Sequence, residues 1–192
     1  AGLEALNRQG IPLALVLNDD AVMRPGSVDQ LLSEWSDKDG ALAPVLHETD
    51  GCVYGISISR WGRVKLRNRP GPIQAVSGAC LMMRSEERFD PAYRHGFEDI
   101  ELCRRLRGRG LLVRVVESST CDHIGGASIS RRSRSAQRAA LSGHLRYVGG
   151  GLKGGIAVGL GFAQVMTEGA SIDRMMGLLD AIRDHIKGHP VV

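Results

Sequence analysis

The chain has 192 residues, 43% apolar and 24% charged, enough apolar material to bury one core and too ordinary a charge content for wholesale disorder. The formal net charge is +4, and Trp 2, Tyr 3 and Phe 3 are too few for a base-stacking nucleic-acid platform. Only Lys38, Lys65, Lys153 and Lys187 are lysines, so arginine carries the positive charge, a bias that fits either phosphate recognition or GC-rich coding. Cys52, Cys80, Cys103 and Cys121 show no C-x-x-C pair and no zinc spacing; they read as small hydrophobes in a reducing, cytosolic compartment. The first fifteen residues contain Glu4 and Arg8 and lack the apolar core of a signal peptide. The longest uncharged run, 154–167, falls short of the roughly 20 apolar residues that span a bilayer.

Residues 1–10 read as the end of a helix, stopped by Gly10 and Pro12. Residues 11–17 (IPLALVL) are an unbroken apolar run, the pattern of a strand buried on both faces, and they end in Asn18-Asp19-Asp20. A turn at Arg24-Pro25-Gly26 leads to a helix that Ser27 caps, with Gln30 completing a capping box and Leu31, Leu32 and Trp35 on its apolar face. Residues 41–46 form a strand, 52–58 and 60–66 alternate like a hairpin, and 67–72 (RNRPGP) form a loop. Residues 73–83 are again strand-like, with a break at Gly78. Residues 97–107 (FEDIELCRRLR) have helical periodicity, with Ile100, Cys103 and Leu106 on one side and Glu101 and Arg105 as an i,i+4 pair. Residues 111–116 are a further strand. This alternation predicts an α/β layer fold. Beyond Ser130 the pattern changes: 133–148 and 171–187 read as helices, and the Gly-rich stretch 149–161 between them reads as a loose connector or a peripheral surface.

Three segments carry chemistry. Asn18-Asp19-Asp20 follows a strand, where carboxylates can hold a hard cation that bridges substrate phosphates; the plainer reading is a turn. Glu98-Asp99 opens a helix, where acidic residues complement the macrodipole, and where a carboxylate can also serve as general base. Asp122-His123-Ile124-Gly125-Gly126-Ala127-Ser128 places a histidine beside a glycine pair, either a metal and anion site or a turn with a surface histidine. Arg131, Arg132, Arg134 and Arg138 follow it, and the first three are candidates for phosphate contacts. His144 and His185 read as ordinary helix residues.

The order of these segments carries a resemblance. LVLNDDAVMRPGSVDQLL, VSGACLMMR, FDPAYRHGFEDIELCRRLRGRG and VVESSTCDHIGGAS resemble the family-2 glycosyltransferases, most of all their rhamnosyltransferase-like branch, over residues 1–130. The resemblance implies a GT-A fold, a Rossmann-type mixed sheet flanked by helices, with residues 131–192 as a C-terminal helical extension. It implies a metal-dependent, inverting transfer from a UDP- or dTDP-linked sugar to a glycan or lipid-linked acceptor. Asn18-Asp19-Asp20 matches the family's Asp-X-Asp motif, with Asp20 as a ligand of Mn2+ or Mg2+ and with Asn18 and Asp19 facing the donor. The first acidic position is Asn here, which leaves fewer carboxylates for the metal. Asp99 of the Glu98-Asp99 pair matches the catalytic base, His123 completes the metal and diphosphate site, and Ser77, Gly78, Ala79 and Glu98 line the acceptor pocket.

The family opens with a strand–helix–strand unit that cradles the nucleotide base, and on this resemblance the chain begins after it. An uncovered sheet edge then implies either a homodimer or poor solubility, and residues 149–167 offer peripheral contact with the inner face of a membrane. A truncated, non-catalytic glycosyltransferase-like binding module is the competing reading. Scarce aromatic residues and the lack of a helix-turn-helix pattern argue against a nucleic-acid partner.

Overall fold

A short helix, α1 (Gly2–Arg8), leads into strand β1 (Leu13–Leu17), and strands and helices then alternate as β2 (Ala21–Met23), α2 (Ser27–Glu34), β3 (Asp39–Glu48), β4 (Gly51–Val53), β5 (Ile56–Ile58), β6 (Val64–Leu66), β7 (Cys80–Arg84), α3 (Glu98–Gly108) and β8 (Leu112–His123). Three helices close the chain: α4 (Arg134–Val148), α5 (Gly151–Thr167) and α6 (Ile172–Lys187). The computed structural model describes residues 2–60, 62–93, 96–124, 133–149, 151–167 and 169–188. The α/β layer architecture expected from the sequence is the one observed, a mixed sheet flanked by helices with a helical C-terminal part.

The main sheet has the order β1-β7-β3-β8-β2, and β4 pairs with the far end of β3. β3 runs parallel to β8; β7 is antiparallel to both β1 and β3. The residues of β3 from Asp39 to Leu46 are all buried, because neighbours flank it on both sides. The expectation of a doubly buried strand at 11–17 is corrected: β1 lies at an edge of the sheet, only its Ala14 is buried, and Leu17 is 43% exposed. An apolar run reports a strand's side chains and not how many strands it will pair with. The expected 52–58/60–66 hairpin is narrower in fact: β5 pairs with β6, while Cys52 and Val53 belong to β4.

The chain divides into two compact units. The first comprises Ala1–Ile58, Val64–Phe89 and Asp99–Gly125 and contains the sheet. Leu31 of α2 packs in a buried cluster with Leu42, Met82 and Val116, fixing that helix on the sheet. Gly40 lets Leu106 of α3 approach β3, since a Cβ there would stand 3.1 Å from the leucine's own Cβ. Buried Glu87 accepts hydrogen bonds from Arg105 and Arg109 and ties α3 to the chain that follows β7.

The second unit comprises Ser59–Arg63, Asp90–Glu98 and Gly126–Val192. Its core is Leu141, Leu145, Ala157, Val165, Leu178 and Ala181 from the three closing helices. Ser133 and Ser171 cap α4 and α6 through their hydroxyls. The loose connector expected at 149–161 is instead largely helical, forming most of α5. Each glycine lowers helix propensity by about 1 kcal/mol, but burial of Ala157 and Val165 offsets this, and the small residues allow close helix contact. His144 of α4 bonds through Nε2 to the Gly62 carbonyl at 2.7 Å and stacks on Phe97, and its burial pushes its pKa below the ordinary histidine value.

Candidate functional site

β1, β3 and β8 share one direction, so Asn18, Glu48 and His123 all lie at the carboxyl ends of strands of one sheet. Ligands of open α/β sheets bind at such ends. The chain leaves β1, makes a turn in which the Ala21 N–H donates to the Asn18 carbonyl, and returns along β8 as β2. Ala21 pairs with His123 in that ladder, and the Ile124 N–H donates to the Asp20 carbonyl. This turn, followed by the pairing of β2 with β8, is what brings Asp20 to a histidine far along the chain.

His123 Nε2 stands 3.3 Å from Asp20 Oδ1, and its Nδ1 stands 2.9 Å from Glu48 Oε1. All three side chains are largely closed off from solvent, at 10%, 9% and 14% exposure. A neutral imidazole carries one N–H and cannot donate to both carboxylates. With that proton on Nδ1 toward Glu48, the Nε2 lone pair faces a carboxylate oxygen, an arrangement that a cation between them would satisfy. Two ligands about 2.1 Å from one cation, in neighbouring octahedral positions, are about 3 Å apart. The Asp20–His123 separation suits that geometry, and a carboxylate oxygen with an imidazole nitrogen suits Mn2+ better than Mg2+, which prefers oxygen ligands throughout. Among the described residues no group of three or more His, Cys, Asp and Glu side chains is arranged to hold a metal. Asp20 and His123 therefore offer two ligands, and a bound cation would take the others from substrate oxygens and water.

The register that aligns His123 with Glu48 depends on an irregularity. Pro44 of β3 pairs with Val116, but Val45 pairs with Thr120, so Glu117, Ser118 and Ser119 have no registered partner on β3. Were the register of Pro44 with Val116 continued unbroken, Thr120 would stand level with Glu48. The bulge is held by Ser27, which is buried at the start of α2. Ser119 Oγ donates to the Ser27 carbonyl at 2.9 Å, and the Thr120 N–H donates to Ser27 Oγ at 3.1 Å. The capping box expected at Ser27 and Gln30 is accordingly corrected: Gly26, with φ 78°, is the N-cap, and the Ser27 hydroxyl is committed to β8.

A second group adjoins this end of the sheet through the backbone. The Asn18 N–H donates to the Ala79 carbonyl at 2.9 Å, and the Gly78 N–H donates to Asp99 Oδ2 at 2.7 Å. Asp99 Oδ1 also accepts from the Ile100 N–H, so the carboxylate is held in one orientation at the start of α3. A Cβ on residue 78 would stand 3.3 Å from the Asp99 Cβ, so glycine permits this approach. Ser77 Oγ accepts from the Ala79 N–H. Glu98, beside Asp99, turns back to accept from the Gly96 N–H at 2.7 Å. The side chains of Asn18 and Asp19 are exposed at the head of the turn.

Other expectations end elsewhere. Gly125, Gly126, Ala127, Ser128, Arg131 and Arg132 lie outside the described residues. Arg134 is paired with Asp180 and Arg138 with Asp184, each at 2.7 Å, so both tie α4 to α6. Asp122, next to His123, is held by a bidentate bond from Arg24, which lowers its carboxyl pKa. Sequence reasoning missed Glu48. It lies in no motif, and only the parallel pairing of β3 with β8 reveals it.

No family model matches the chain, and no curated protein matches it in sequence. Among solved structures it is similar to a crystal structure of GalNAc-T7 with UDP, GalNAc and Mn2+, with a TM-score of 0.54 and 15% identity. The likeness covers 76% of this chain and 33% of that one, so the chain spans about a third of that neighbour's length. At such identity the likeness shows the fold alone, which is of the GT-A type.

Proposed function

We propose that the chain is a glycosyltransferase that moves a sugar from a nucleoside-diphosphate donor to a glycan or lipid-linked acceptor. The observation that carries this reading is the converging pair Asp20 and His123, 3.3 Å apart at the carboxyl ends of the sheet strands. The motif order supports assignment to family 2 and its rhamnosyltransferase-like branch. The solved neighbour, which holds UDP and Mn2+, supports a nucleotide-sugar donor and a divalent cation. Residues 1–130 form the transferase part of this reading and 131–192 a helical extension. A cytoplasmic setting is in keeping with four free cysteines.

The division of labour follows from charge. Asp99 accepts the proton of the acceptor hydroxyl as the new bond to the anomeric carbon forms and the bond to the diphosphate breaks, which inverts the configuration. Backbone bonds from Gly78 and Ile100 orient its oxygens. Ser77, Gly78, Ala79 and Glu98 border the acceptor, and Asn18 and Asp19 meet the donor. Asp20 and His123 would hold a divalent cation, which when bound would neutralise charge on the departing diphosphate.

Calorimetric titration with UDP and with dTDP, with and without Mn2+, tests the reading. Metal-dependent binding of one nucleotide, lost in Asp20→Ala, is the expected result. A folded protein that binds neither metal nor nucleotide would sink it and favour the non-catalytic module.

A further inference from the structure

We infer that Glu48 is the positioning residue of the cation site, fixing His123 in the tautomer and orientation that aim Nε2 at the cation. This rests on the function proposed above, since that reading makes His123 a ligand. The contact is direct: Glu48 Oε1 to His123 Nδ1 is 2.9 Å, between side chains that are both largely buried. It is also built into the sheet. β3 and β8 are neighbouring parallel strands, and Glu48 lies one residue beyond their last registered pair, His47 with Asp122. The bulge at 117–119, anchored on Ser27, is what sets His123 rather than Thr120 at that level.

The chemistry gives the contact a purpose. A carboxylate that accepts the Nδ1 proton leaves the Nε2 lone pair free and strengthens it as a donor. Asp20 waits 3.3 Å from that lone pair. The ring therefore lies between two carboxylates with different tasks, Asp20 toward the cation and Glu48 behind the ring. Removal of an outer partner of this kind costs about 10–100-fold in metal affinity.

The test is Mn2+ affinity without nucleotide, read as loss of the free-Mn2+ electron paramagnetic resonance signal, for the wild type, Asp20→Ala, Glu48→Ala and Glu48→Gln. Glu48→Ala is expected to weaken Mn2+ binding by about 10–100-fold. Glu48→Gln is expected to weaken it less, because its amide oxygen still accepts from Nδ1. Long-range proton–nitrogen spectra of the metal-free protein at mildly alkaline pH give an independent signature. The wild type and Glu48→Gln should carry the His123 proton on Nδ1, and Glu48→Ala should move it to Nε2. If Glu48→Ala does not fold, the wild-type tautomer and Glu48→Gln affinity still decide, since a wild-type proton on Nε2 overturns the inference. Wild-type affinity in Glu48→Ala, with loss in Asp20→Ala, overturns the inference and leaves the function standing. No Mn2+ binding by the folded wild type defeats both.

Discussion

A single carboxylate is asked to do the chemistry in the proposed reaction. Asp99 sits at the head of α3 with both oxygens bonded to backbone N–H groups. Asp99→Asn keeps the size and removes the proton acceptor, so nucleotide affinity should hold while turnover falls about 10²–10⁴-fold. Nucleoside diphosphate release from a panel of UDP- and dTDP-sugars, set against nucleotide titration, separates the two effects. A different aspartate governs stability. Asp39, closed off at the start of β3, accepts bonds from Arg114 at 2.8 and 2.9 Å and from both the N–H and hydroxyl of Ser36. Burial pushes its carboxyl up, but the Arg114 and Ser36 bonds outweigh it and hold the pKa below the ordinary value. A carboxyl depressed in the folded state stabilises it above the unfolded value of about 3.9, and this is lost as pH falls through the folded value. Urea unfolding at pH 7 should therefore show Asp39→Asn less stable by about 2 kcal/mol. The gap to wild type should narrow below about pH 4, and a constant gap would refute the assignment.

Helix contacts in the second unit are set by where glycine is needed and where it is not. A Cβ on residue 177 would stand 2.4 Å from the Arg134 carbonyl and 3.0 Å from the Gln137 Cβ, so α6 meets α4 backbone to side-chain root. A helical Gly→Ala change ordinarily stabilises by about 0.5–1 kcal/mol. At Gly177 the clash exceeds that gain, and Gly177→Ala should cost about 1–3 kcal/mol. Gly155 and Gly159 of α5 have nothing within 4 Å of an added Cβ, and alanine there should stabilise by about 0.5–1 kcal/mol. Thermal unfolding of the three variants checks the opposite signs. The same elements show what was legible beforehand. Periodicity identified α3, and the pattern after Ser130 identified α4 and α6. It missed α5, because glycine content argues against a helix wherever partner helices are out of view.

For the whole molecule, composition and alternation were enough for the α/β class, and no helix among the described residues is long and apolar enough to cross a membrane. Local order along the chain also marked Asn18-Asp19-Asp20, Glu98-Asp99 and His123 as segments with chemistry, because turn residues, helix starts and strand ends are written in neighbouring positions. The sequence by itself thus determined the layer class, most helices and the candidate carboxylates and histidine. The tertiary structure decided that β1 is an edge strand and β3 the buried one, since burial depends on neighbours supplied by distant chain. It decided that Ser27 holds a bulge rather than a helix end, and that Glu48 stands behind His123. Those facts depend on pairing between strands far apart in sequence, where a shift of a few residues changes which side chains meet.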